Sequence, residues 1–93
     1  MIIGLLRVRL LLHGPASLKD KRAILKPLIH RLRTGHNVAV AEIDDQDIWR
    51  SAVLAVTSVA AAATPVQNTL AAVAASLANN PEFELLEEHL ELL

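Results

Sequence analysis

The chain contains no cysteine, so disulfides, thiolate metal centres, iron–sulfur clusters and cysteine nucleophiles are all excluded. Aromatic residues are almost as scarce, with one Trp, one Phe and no Tyr. This argues against the base-stacking sheet of RNA-recognition domains, which draws several aromatics from its central strands. No G-x-S-x-G or H-E-x-x-H sequence is present, nor a phosphate loop or dinucleotide fingerprint, so the histidines and serines have no nucleophile motif around them. The longest apolar or small run, around Ala52 to Ala63, falls well short of the roughly 20 residues that a spanning helix needs. Arg7 and Arg9 interrupt the apolar N-terminal stretch and no small-residue cleavage site follows it, unlike a signal peptide. A soluble, cytoplasmic protein with no membrane role is expected.

Charge is missing from one part of the chain and segregated in the rest. All nine Lys and Arg lie between Arg7 and Arg50, among five acids, and Ser51 to Pro81 carries no charge at all. Five glutamates follow, at positions 82, 84, 87, 88 and 91. The net charge of −1 therefore hides a basic half and an acidic end.

Ninety-three residues suffice for one domain only, and a 53 % hydrophobic composition gives it enough core. Residues 2–13 alternate as a strand, with Ile2, Gly4, Leu6, Val8, Leu10 and Leu12 forming a wholly apolar face. Ser17 and Asp20 form a capping box that opens a helix running to about Arg33. Ile24, Leu25, Leu28, Ile29 and Leu32 make its apolar stripe, Pro27 should produce a bend on the solvent side, and Gly35 should end it. Asn37–Ile43 and a β-rich run from Ile48 to about Val59 read as a hairpin around Asp44-Asp45-Gln46-Asp47, with Trp49 opening the second strand. Thr64-Pro65-Val66-Gln67 reads as an N-cap, a first-turn proline and a box partner, starting a helix that ends at Asn79-Asn80-Pro81. Phe83–Leu92 is the last strand.

The order strand–helix–strand–strand–helix–strand predicts an α+β, ferredoxin-like sandwich. Its four-stranded antiparallel sheet should have order 4-1-3-2, with both helices on one face. The first and last strands then become neighbours, bringing Arg7 and Arg9 opposite Glu87, His89 and Glu91 as cross-strand charge pairs. Acylphosphatases share this topology, but their arginine-containing phosphate cradle after the first strand is replaced here by His13-Gly14-Pro15.

Three surfaces are candidates for function. Lys19, Arg22, Lys26, His30 and Arg33 recur at intervals of 3, 4, 4 and 3, stacking on one helical face with Lys21 and Arg31 at its flanks. Such a stripe suits phosphate contacts with RNA, and equally suits a plain solvated face. Glu42, Asp44, Gln46, Asp47 and Trp49 form a candidate interaction surface at the hairpin. The acids Glu42, Asp44, Asp45 and Asp47 have neither the spacing nor the glycine of an EF-hand loop, and acids are also ordinary turn residues. The outer face of the second helix offers only Gln67, Asn68, Ala71, Ala75 and Ser76, a neutral surface suited to packing against another chain.

The stretches SLKDKRAILKPLIHRLR and NVAVAEIDDQDIWRSAVLAV, with the first strand MIIGLLRVRL and the closing LLEEHLELL, resemble the YlxP-like family of small bacterial proteins of unknown function. The most specific pieces are A-E-[IV]-D-x-Q-D-x-W at Ala41–Trp49 and S-L-K-[DE]-K-R at Ser17–Arg22. Pro27 and Glu88 depart from the family pattern. The resemblance implies a ferredoxin-like fold with no catalytic residues to carry over, and a gene neighbourhood of translation initiation and ribosome maturation factors. The expectation is a non-catalytic accessory factor without a cofactor, contacting RNA or a ribosome-associated assembly through the basic helix. The alternative is a homo-oligomer such as a homodimer that binds protein or a small molecule and has no nucleic-acid role.

Overall fold

The computed structural model describes residues 1–93. In chain order the elements are β1 (Ile2–Leu12), α1 (Leu18–Gly35), β2 (Ala39–Asp44), β3 (Ser51–Ala60), α2 (Ala63–Ala78) and β4 (Phe83–Leu92). The strands form one antiparallel sheet in the order β2-β3-β1-β4, which is the expected 4-1-3-2 read from the other edge. Together with two helices this is the α+β, ferredoxin-like layout.

The apolar face of β1 does what its alternation predicts. Leu6, Val8, Leu10 and Leu12 are buried and meet Leu54, Val56 and Ala52 of β3 in the layer beneath the helices. From above, α1 contributes Leu25, Leu28 and Leu32, and α2 contributes Val66, Leu70, Val73 and Leu77. Gly4 marks the closest approach of α2 to the sheet: a Cβ there would collide with Val66 Cγ1 and lie 2.8 Å from Leu70 Cδ1. α1 packs chiefly on β2, whereas α2 lies over β1, β3 and part of β4. The basic helix therefore occupies one rim of the sheet, and the glutamate-rich strand β4 forms the other.

The α1 start matches its sequence. Ser17 Oγ accepts from Asp20 N at 3.1 Å, and Asp20 Oδ2 accepts in turn from Ala16 N at 3.0 Å. Pro27 is exposed, as expected. Three local expectations are corrected. α2 begins at Ala63 with Ala62 as N-cap and no side-chain cap, so Thr64 and Pro65 lie within the first turn; alanine's helix propensity carries the helix back past the threonine. Gly35 is the last residue of α1 rather than its stop, and His36, in extended conformation, ends the helix by donating to Leu32 O. β3 starts at Ser51 instead of Ile48, because Ile48–Arg50 stay in the turn that precedes it.

Candidate functional site

The β2–β3 connection is organised around Asp45, the one non-glycine residue with positive φ (57°). Aspartate is among the few non-glycine residues that adopt this left-handed conformation readily. Asp45 O accepts from Ile48 N at 3.0 Å, closing the turn, and Asp45 N donates to Asp44 Oδ1 at 2.9 Å. The β2–β3 register shifts between Glu42 and Asp44, leaving Ile43 out of the ladder. Glu42 thus stays opposite Leu54 on the helix-facing side while Asp45 swings round the end of the sheet.

Two basic residues hold this turn from opposite faces. On the open face, Arg9 Nη1 donates to Asp45 Oδ2 at 2.6 Å, and Ser51 Oγ donates to the same oxygen at 2.6 Å. These bonds, with the Ser51 hydroxyl first and the Arg9 and Lys21 charges following, hold the Asp45 carboxyl below the usual carboxylate range against the opposing effect of its burial. On the helix side, Lys21 Nζ donates to Asp45 O at 2.6 Å and lies 2.9 Å from Glu42 Oε2. Lys21 is only 2 % exposed, the most deeply buried charged residue in the protein. Arg50 Nε adds a tie to Pro15 O at 3.1 Å, joining the start of β3 to the loop before α1.

The two most specific sequence pieces therefore meet. Lys21 of SLKDKR is the peg, and Glu42 with Asp45 of AEIDDQDIW is the socket. Its position was readable: Lys21 precedes Leu25, Leu28 and Leu32 by the spacing of the buried stripe, so it belongs to the inward face rather than the flank of the basic one. Arg9 of β1 was assigned only to cross-strand pairing. It does sit opposite Glu87, at 3.7 Å, while Arg7 faces His89, but its shorter contact is with Asp45.

The hairpin surface is thereby divided. Glu42 turns inward to Lys21, Asp44 caps its own turn, and the Gln46 carbonyl lies 3.4 Å from Lys21 Nζ. The carboxylates of Glu42, Asp44 and Asp45 are each directed to a different partner. What remains outward is Asp47, the Gln46 side chain, Ile48 and Trp49, the last 50 % exposed beside Ala16 and Arg50 in a shallow depression.

On α1, Lys19, Arg22, Lys26 and His30 are exposed along one face, and none of them has an ion-pair partner. Arg33 differs: its Nη2 donates to Val40 O at 2.6 Å and ties the end of the stripe to β2. No helix of the structure is long and apolar enough to cross a membrane.

The chain is 30 % identical over 83 residues to the uncharacterized protein YlxP of Bacillus subtilis (strain 168), a match covering 89 % of this chain and 90 % of that protein. The model of a family described as a protein of unknown function, DUF503, matches residues 3–90. The chain belongs to the DUF503 family, the group of YlxP-like proteins.

Proposed function

We propose that the protein is a non-catalytic cytoplasmic factor that contacts RNA, alone or within a ribosome-associated assembly, through the outward face of α1. The observation that carries this reading is a difference between its basic side chains. Lys21, Arg9 and Arg33 are consumed by internal contacts. Lys19, Arg22, Lys26 and His30, on successive turns of one helix, have no internal acid to neutralise them. Rows of free basic side chains at helical spacing suit a phosphate backbone, where each Lys or Arg contact releases counterions. The half-exposed Trp49, near the N-terminal end of that helix, offers an aromatic surface of the kind that stacks on an unpaired base.

Co-sedimentation with ribosomal subunits and with bulk RNA at two salt concentrations tests the proposal. The wild-type chain should bind, more weakly at higher salt. A Lys19→Glu, Arg22→Glu, Lys26→Glu variant should lose binding while keeping its thermal stability, because these side chains support nothing inside the fold. Failure of the wild type to bind even at low salt would remove the RNA reading.

A further inference from the structure

Between α2 and β4 runs an open trough of about 460 Å³. Its origin is local. α2 spends Val66, Leu70, Val73 and Leu77 on the core, and the side of the helix turned toward β4 carries only Ala71, Ala74, Ala75 and Ala78. Methyl groups cannot reach across to β4, so the helix-facing row of that strand is left uncovered. Leu85 and Leu90 line the trough, Leu90 being 40 % exposed.

Between those leucines stands Glu88. It pairs in register with buried Val8, on the side of the sheet where every other strand places core residues. It has no ion pair and no hydrogen bond. An occupant made only of apolar groups would strip water from this carboxylate and leave it unpaired, which is costly. Whatever fills the trough must therefore bring apolar surface and a cation together. Glu84, Glu87 and Glu91 lie on the opposite, open face of the strand, so Glu88 is the one carboxylate that lines the trough.

The two most direct self-pairings do not meet the requirement. Antiparallel pairing of two β4 edges would set glutamates against glutamates, which destabilises a sheet. The cationic face of α1 has no large apolar side chain to fill the space, only Ala23 and Pro27 between its charges. We propose that the α2–β4 trough is a docking groove for a basic amphipathic helix of a partner protein. Its apolar face fills the volume beside the alanines and extends the helical layer over β4, and one of its Lys or Arg side chains pairs with Glu88. This proposal is independent of the RNA reading, which concerns the opposite rim of the sheet.

The test is a fluorescence-anisotropy titration with a labelled synthetic amphipathic helix of leucine and lysine. A scrambled peptide of the same composition and a leucine–glutamate analogue serve as comparators. The amphipathic basic peptide should bind at least about tenfold more tightly than either. Ala71→Leu and Ala75→Leu, which fill the trough without altering charge, should each weaken it about tenfold, and so should Glu88→Lys. Glu91→Lys changes the net charge equally but lies on the open face opposite Leu5, and should change affinity by less than about twofold. Amide chemical-shift changes confined to α2 and β4 would place the peptide on the wild type, and dispersed, wild-type-like amide spectra would show that each variant is folded. Equal effects of Glu88→Lys and Glu91→Lys, equal binding of the scrambled peptide, or a wild-type dimer in light scattering that Ala71→Leu dissociates would each overturn the proposal.

Discussion

Lys21 reaches from the first turn of α1 to the helix side of the β2–β3 connection, with its Nζ 2.6 Å from Asp45 O and 2.9 Å from Glu42 Oε2. A lysine buried this deeply is tolerated because its ammonium meets two carbonyls and a carboxylate, and because its methylene stem packs like an aliphatic residue. The ion pair adds little by itself, since two charges have been taken from water to form it. What it does is fix the turn that carries Asp47, Ile48 and Trp49.

Removing one partner should therefore be far worse than removing both. Lys21→Met is expected to cost about 3 kcal/mol, the low end for a broken buried pair, because the Glu42 side chain is 22 % exposed. Lys21→Met combined with Glu42→Leu should recover at least about 1 kcal/mol of that loss. Urea unfolding of the two single variants and the double variant checks this. A double variant as unstable as the sum of the singles would show that the two residues do not act as a pair.

Asp45 makes stability depend on acid. Its carboxyl is held below the ordinary range in the folded state, so the unfolded chain binds this proton more readily. The stabilisation is complete above the unfolded pKa, near the ordinary value of about 4. It is lost as pH falls through the lower folded value. Asp45→Asn keeps a residue suited to positive φ and removes the titrating group. Its unfolding midpoint should fall less between neutral and acidic pH than that of the wild type, and parallel curves would rule out Asp45 as the source of the dependence.

At Gly4 the requirement is space. Gly4→Ala should destabilise by about 1–3 kcal/mol, because β-branched Val66 cannot swing away from the added methyl group. In a Val66→Ala background the same change should cost at least about 1 kcal/mol less. Thermal unfolding of the four combinations measures the coupling, and additive losses would show that the two positions do not collide.

The helix start offers a gain. Ala62 has the extended conformation of an N-cap without a side chain to fill the role, and no acid lies in the first turn of α2. Ala62→Asp should stabilise by about 0.5–2 kcal/mol. Thr64→Ala should change stability by less than about 0.5 kcal/mol, since its hydroxyl caps nothing. If instead the threonine proved the costly one, the helix would begin where the Thr64-Pro65 pair alone would place it.

Element order and sheet topology were legible because strand and helix periodicities alternate without ambiguity, and Phe83–Leu92 was recovered to the residue. What the one-dimensional pattern obscured were contacts between distant segments. Ile48 continues an apolar run and reads as strand, yet the Asp45 turn, held by Arg9 and Lys21, keeps it outside the ladder. Lys21 was sorted by its charge, although its spacing from Leu25 placed it with the core. Of the hairpin residues first grouped as one surface, Glu42 faces inward and Trp49 outward, a separation set by the register shift at Ile43. The basic stripe was visible as a set, but only the fold shows that Arg33 is engaged with Val40.

The sheet order has a further consequence. α1 lies over β2 and the glutamates lie on β4, so unlike charges occupy opposite rims, three interstrand spacings or roughly 14 Å apart. Glu42, Asp44, Asp45 and Asp47 offset much of the positive charge on the α1 rim, yet the outward face of α1 and the glutamates of β4 still give a molecule of net charge −1 an electric dipole. Approaching any polyanion, it experiences a torque before it experiences contact, and it arrives with α1 leading and β4 trailing. Ionic strength will accordingly act on the rate of encounter as well as on the lifetime of the complex, even though the chain as a whole is nearly neutral.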